Sequence, residues 1–430
     1  MIPARYLGQN VSAVKSRNIC AILMNLLYHE PIYRVKLAKA IAISTTTVTK
    51  LIDELISLGI VEEKLEEING LRCVGRPQNA IFLNRDAYHA IGVHIGGGMF
   101  RIGVVNLRNE ILHNRMDNYD LKSPAIDVMK LIIKKIESMI KECQIKREKI
   151  LGIGIGAPGL VNSISGEIGY AKNQGWWNVP ISTIFKENLG FPVVVENNVR
   201  SMALGETLFG VGKDVNTLLF VYGRLGVGAG IVVNHHIYHG SNLGAGEIGH
   251  TFIIQNEGND ELLGEHHTLE DLISAPVLIE QARALKSKNP DSLLAKTLQS
   301  QDGNQAIEEI YNSARQGDVF AQKLVKKHAQ YLGIALVNAV NLINPELILL
   351  GGMFNQGIDL YLPVIRHMVD TMTFAEIGKK VKIRETSYGW KAGLLGASAL
   401  ALSNFFYLPP KNEEIVTNLM ERQSLILNGK

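Results

Sequence analysis

Between Val195 and Glu206 the chain reads VENNVRSMALGE, a short apolar strand that breaks into a polar centre, Glu196-Asn197-Asn198, before a helical pattern begins. A strand-to-helix junction of this kind forms the rim of a small-molecule pocket in open α/β folds. If the bound molecule were a sugar to be phosphorylated, a carboxylate would be needed there to take the proton from its hydroxyl. Asn198 is an amide, which accepts and donates hydrogen bonds but moves no proton. A second chemical cluster is STTTVTK, where Ser44, Thr45, Thr46, Thr47, Thr49 and Lys50 place five hydroxyls and a cation at the start of a helix. Such groups suit phosphate oxygens and base edges, and the helix dipole favours an anionic backbone. A third is Gly75-Arg76-Pro77, one guanidinium on a narrow, stiffened loop, a shape that fits an A·T-rich minor groove.

The elements that must position the hydroxyl cluster are three short helices. From Ser16, Ile19, Ile22, Leu23, Leu26 and Leu27 share one helical face, and YRVKLAKAIAI follows as a short helix burying Leu37, Ala38 and Ile41. In the third, Val48, Leu51, Ile52, Leu55 and Ile56 form the buried stripe, with Ser44 as N-cap and Gly59 just past the last turn. This is the pattern of a helix-turn-helix whose third helix reads DNA, although three helices alone also serve as a packing unit. The segment IVEEK and then VGRPQNAIFLN add two strands around a loop, a wing that carries Arg76. Residues 12–84 therefore read as a winged helix-turn-helix.

Charge supports that reading. Residues 1–50 hold seven Lys or Arg against one acid, Glu30, on a chain of 430 residues whose net charge is only +3. The three cysteines, Cys20, Cys73 and Cys143, stand far apart in no paired spacing, which argues for a reducing compartment and against a disulfide framework. The first residues contain no apolar signal core and no apolar run reaches membrane length, so a cytoplasmic protein without membrane partners is expected.

From residue 88 onward short apolar strands alternate with helices. HAIGVHIGGGMFRIGVVNL and NTLLFVYGRLGVGAGIVVN each read as strand, glycine turn, strand. ILGIGIGAPGLVN and FPVVVENN are further strands, a covering helix begins near Ala125, and NAVNLINPELILLGGMF gives helix, strand and a turn at Gly351-Gly352. Two glycine hairpins, each followed by helices, imply two related α/β halves around a cleft. The tail KNEEIVTNLMERQSLIL, residues 411–428, reads as one more helix.

In this order, GRPQNAIFLN, IGAPGLVN, NQGWWNVP, GVGAGIVVNHHIYHGSN, GAGEIGH and INPELILLGG resemble the ROK family of bacterial repressors and sugar kinases, and with the winged head the chain is similar to its xylose-type repressors. The resemblance implies an α/β fold class: an N-terminal winged helix-turn-helix followed, over 88–402, by a two-lobed, actin-like ATPase domain of the ROK sugar kinase type. It places sugar contacts on Asn173, Asn197, Glu247, His250 and Glu270, with Asn198 beside them. Amides, carboxylates and an imidazole can meet the hydroxyls of a xylose, a glucose or an N-acetylglucosamine in pairs.

Three departures from the kinases are visible. Asn198 stands where they have the catalytic aspartate. The first hairpin begins His94-Ile95-Gly96-Gly97-Gly98 instead of with an aspartate and a threonine, and the second carries Arg224-Leu225-Gly226 in place of Gly-Thr-Gly. The zinc-binding cysteines are replaced by Glu261, Leu263 and Thr268, leaving His250 alone; His266 and His267, adjacent and without thiolates, are a poor tetrahedral set. No catalytic residue, metal or cofactor is therefore expected. The expected function is a homodimeric or higher-order repressor binding double-stranded operator DNA under control of a monosaccharide effector, the alternative being an active ATP-dependent sugar kinase with a DNA-binding head.

Overall fold

The computed structural model describes residues 11–65, 79–255 and 266–408. The wing tip with Arg76, the replaced zinc positions Glu261 and Leu263, and the 411–428 helix expected from sequence lie outside them. Among the described residues no helix is long and apolar enough to cross a membrane.

The head comprises α1 (Val11–His29), α2 (Arg34–Ala40), α3 (Thr45–Ser57) and an antiparallel ribbon of β1 (Val61–Leu65) and β2 (Asn79–Leu83). All five apolar residues expected on the first helix are buried, as are Leu37, Ala38, Val48, Leu51, Ile52 and Leu55. Ile41 and Ile56 are only partly buried, because Ile41 ends α2 as its C-cap and Ile56 lies at the margin of the stripe. Gly59 takes a left-handed φ of 68°, the conformation a helix exit favours in glycine. Arg34 ties α2 to α3 through Asp53 and to β1 through Glu63.

The body has two five-stranded sheets. The first contains β3 (His89–Ile95), β4 (Met99–Asn106), β5 (Ile111–Asn118), then after α4 (Ala125–Glu142) β6 (Ile150–Ala157); β7 (Leu160–Asn162), β8 (Glu167–Ala171) and β9 (Trp176–Val179) form a small separate sheet, and after α5 (Ile181–Leu189) comes β10 (Val193–Asn197). The helix α6 (Asn198–Phe209) leads to β11 (Thr217–Gly223), β12 (Val227–Val233) and β13 (His236–Ile237) of the second sheet. Its remaining strands are β14 (Leu347–Gly352) and β15 (Lys382–Glu385), and α7 (Ala392–Leu402) closes the body.

The first sheet runs β10-β6-β3-β4-β5 and the second β15-β14-β11-β12-β13. In each, an antiparallel meander of three strands is extended by two parallel strands on the side of its first strand. The two halves thus share one topology, as the paired glycine hairpins imply.

Two helices join the halves. The face of α6 formed by Val199, Met202 and Ala203 packs on the second sheet through Leu218, Phe220 and Val232, while α7 lies across β3 and β6 of the first. They cross where Gly205 faces Gly396, and a Cβ on Gly396 would stand 2.6 Å from the backbone nitrogen of Met202. At Gly154 of β6 a Cβ would overlap the carbonyl of Ala397, so only glycine lets the helix lie this close to the strand. Glu206, fully buried near the end of α6, accepts hydrogen bonds from Thr386, Val211 and both the amide and hydroxyl of Ser387, which fixes α6 to the segment entering α7.

Candidate functional site

A cavity of about 180 Å³ opens between the two sheets, at the ends of β3, β6, β10, β11 and β12. Asn173, Asn197, Asn198, Glu247, His250 and Glu270 all line it. Local structure explains why they converge. Asn197 ends β10 and caps α6: its carbonyl oxygen accepts the N–H groups of Val199 at 2.8 Å and Arg200 at 3.2 Å, and its amide donates to Gly159 at 2.9 Å. Its amide is thus already committed to the turn that presents Asn198. Glu270 sits in the first turn of a short helix, Leu269–Ile273, capped by Thr268 and Asp271. One of its oxygens accepts the N–H of Val227 at 2.9 Å, which ties the second glycine turn to this helix; Lys172 stands 3.8 Å from the other.

Asn173, Asn198, Glu247 and His250 remain. Among the described residues their side chains have no hydrogen-bond partner, so they are free to meet a ligand. Although Glu247 faces the open cleft, the surrounding protein raises its carboxyl pKa; His250 and Arg200 oppose that rise and Glu270 adds to it. Two carboxylates, two amides and an imidazole around one cavity match a polyhydroxyl ligand, each of whose hydroxyls donates once and accepts up to twice.

Beneath this surface lies a group absent from the expected set. Arg200, 2% exposed, donates to Glu196 at 2.8 Å, to the carbonyl of Leu243 at 2.6 Å and to that of Val161 at 3.4 Å. Glu196 also accepts the N–H of Asn197 and lies 2.6 Å from His239 Nε2. The cluster anchors the segment from His239 to Glu247 against α6. A Glu–Arg pair four residues apart is equally at home on an exposed helix face, so the sequence alone does not mark it as buried.

The two glycine turns fit a nucleotide poorly. In the first turn His94 is buried, and its pKa is pushed down to about 3 by burial and by the charges of Arg101 and Arg224. A neutral imidazole beside two guanidinium groups is no ligand set for Mg²⁺. The side chain of Leu225 lies against Gly97, where a Cβ would overlap it, so an apolar group fills the space between the turns. Thr268 uses its hydroxyl in the helix cap, 2.6 Å from Asp271.

His94 has a consequence for stability. Its pKa in the folded chain lies far below the ordinary value, as does that of His328, pushed down to about 4 by burial and Lys327. Between those values and about 6.5 the unfolded chain binds more protons, so stability is full above pH 6.5 and falls as pH drops. Denaturant titrations at pH 7, 6 and 5 should show a loss approaching about 1.4 kcal/mol per pH unit for each histidine, with the slope reduced in H328Q.

On the head, Ser44 accepts the amide of Thr47 at 3.1 Å and pairs with its hydroxyl at 2.8 Å, so both are engaged in the cap. Thr45, Thr46 and Lys50 are exposed beside them, and Thr49 is half-buried.

Residues 90–404 match the ROK family. The xylose repressor of Caldicellulosiruptor bescii is 28% identical over 401 residues, covering 93% of this chain and 99% of that one. The glucokinase of Halalkalibacterium halodurans is 30% identical over 314 residues, covering 72% of this chain and 94% of that one. Among solved structures, a ROK family transcriptional regulator described as a homologue of the E. coli MLC protein superposes with a TM-score of 0.79 at 25% identity, over 95% of this chain and 100% of that one. The glucokinase alignment covers a length close to that of the body alone, whereas the repressor and regulator alignments take in nearly the whole chain.

Proposed function

The chain belongs to the ROK family, and from that premise we propose that it is a DNA-binding transcriptional repressor of sugar-utilisation genes. A sugar bound in the kinase-like cleft, which performs no phosphoryl transfer, releases it from its operator. The observation that carries the reading is the union of a recognition helix with exposed Thr45, Thr46 and Lys50 and a hydroxyl-matching cleft whose base position is Asn198. Loss of a general base costs about 10²–10⁴-fold in rate, and His94 and Leu225 occupy the places that would receive metal and phosphate. The replaced cysteines support a body without structural zinc.

Operator recognition by this head requires a dimer, whose recognition helices enter successive major grooves about 34 Å apart or at a multiple of that spacing. Sugar that favours one angle between the lobes changes that spacing. Fluorescence anisotropy on a DNA fragment from upstream of a neighbouring sugar gene tests the reading, with xylose, glucose and N-acetylglucosamine added in turn. Lys50→Ala should weaken binding to every sequence and reduce the slope of log affinity against log salt by about 1. An unchanged slope removes Lys50 from the interface. The likeness to a glucokinase keeps one other reading in view, an active sugar kinase, and a coupled ADP-release assay decides it: turnover above about 1 s⁻¹ overturns the repressor mechanism.

A further inference from the structure

A winged head meets a duplex with two elements, a helix and a ribbon, and a duplex is stiff. Both engage it at once only if the angle between them is set beforehand, because an angle left free has to be fixed on binding at a cost to affinity. In this head α3 is held by its apolar stripe, Val48, Leu51, Ile52 and Leu55, all buried. The ribbon is buried at one end only. There Val61, Ile81 and Leu83 are in the core, and Ile32 exchanges backbone hydrogen bonds with Ile81 at 3.3 and 2.9 Å. Toward the other end Lys64, Leu65 and Asn79 are exposed, so the ribbon runs out of the core.

Arg34 sits where the ribbon leaves. Its guanidinium grips Glu63 of β1 as a fork, Nε to one carboxylate oxygen at 3.1 Å and Nη2 to the other at 3.0 Å. Nη2 also stands 2.8 Å from Asp53 of α3, and Nη1 donates to the carbonyl of Thr49 at 3.2 Å. Thr49 and Asp53 are four residues apart, on one face of α3. One planar group therefore bridges helix and strand. The Arg34 side chain is 20% exposed and that of Glu63 23%, so water screens this pair less than an open surface pair. The bridge also neutralises two acids that share a single nitrogen, and without a cation between them Asp53 and Glu63 would push β1 away from α3.

We propose that Arg34 is a positioning residue for DNA recognition: it fixes the angle between α3 and the β1–β2 ribbon, and through that angle the preference for base pairs flanking those read by α3. The inference rests on the reading of the head as an operator-binding module. An ammonium cannot replace the guanidinium here. Lysine is a point charge on a flexible stem without a fork, so R34K keeps the charge between the two acids yet frees the angle.

Selection from a random duplex library with the full-length protein supplies the operator probe, and fluorescence anisotropy gives its affinity over a range of salt. In R34K that affinity should fall by at least about tenfold, the size of one charge-assisted contact. The slope of log affinity against log salt should become shallower by about 1 or more, as the ribbon's phosphate contacts are lost. Selection repeated with R34K should return the same central base pairs with flattened flanks. E63Q removes the other half of the fork and should do the same, which carries the test on its own should R34K not fold. The double variant R34K/E63Q should be no worse than either single one, because one bridge is lost only once. A residue that merely stabilised the head would lower the active fraction and leave slope and base preference unchanged. That outcome overturns the inference and leaves the operator reading standing, as do an affinity within about twofold of the parent in both single variants and losses that add in the double one. If selection with the parent enriches no sequence, the operator reading fails and the inference falls with it.

Discussion

Arg200→Ala should lower the stability of the body by about 3–5 kcal/mol, the cost of orphaning one member of a buried ion pair. The side chains of Arg200 and Glu196 are 2% and 3% exposed, so water cannot replace the lost guanidinium. Glu196 would keep only the N–H of Asn197 and the ring of His239. The carbonyls of Leu243 and Val161 would lose their donor at the same time. The segment that carries Glu247 into the cavity would then be held less firmly, and ligand affinity should fall with stability. Removing both charges in E196Q/R200M should recover most of the loss, because the penalty lies in the unpaired carboxylate more than in the missing attraction. Urea titrations of the three proteins measure this. A single variant within about 1 kcal/mol of the parent, the range of ordinary exposed pairs, would mean that the cluster does not hold the site.

That cluster marks where sequence reading stops. Features written in local chemistry were legible: the stripe from Val48 to Leu55 between a serine cap and a left-handed glycine, and the two glycine hairpins whose matching sheets share one topology. The convergence of Asn173, Asn198, Glu247 and His250 was implied by the family resemblance, not by the residues' own pattern. Elements defined by their neighbours were not legible. The strand Ile111–Asn118, ILHNRMDN, has little apolar alternation because it is the exposed edge of its sheet and exists through pairing with β4. Asn197, a sugar contact by resemblance, also caps α6 through its side-chain carbonyl, a role its place in the motif does not announce. His94 sits in HAIGVHI like any alternate residue of a strand, and only the packing of Gly393 against its ring shows that it is walled in.

Phe406→Ala should uncouple the head from the cleft. The path is α7 and the helical turn Ser403–Tyr407 that continues it. At its beginning Gly393 lies against His94, which lines the cavity, and Gly396 meets α6 at the crossing between lobes. At its end Leu402, Phe406 and Tyr407 are fully buried in one apolar cluster with Ile19, Leu23 and Leu26 of α1. Glu30, just past α1, pairs with Arg108 of the first lobe at 2.5 Å, and beside it Tyr407 donates to the carbonyl of Leu107 at 2.7 Å, so the head is tied to the first lobe next to this cluster. Displacement of α7 by lobe closure must therefore carry α1 with it, since packed interiors transmit strain instead of absorbing it. Removing the Phe406 ring leaves a cavity at this joint, worth about 3–5 kcal/mol of packing. The change in operator affinity on adding effector, about 5- to 150-fold for a typical coupling, should drop below about twofold in the variant. Effector affinity itself should stay within about threefold, because the ring lies in the turn Ser403–Tyr407, beyond the end of α7 away from the cavity. If the folded variant still responds to effector as the parent does, the signal travels by the dimer interface and α7 is only a strut.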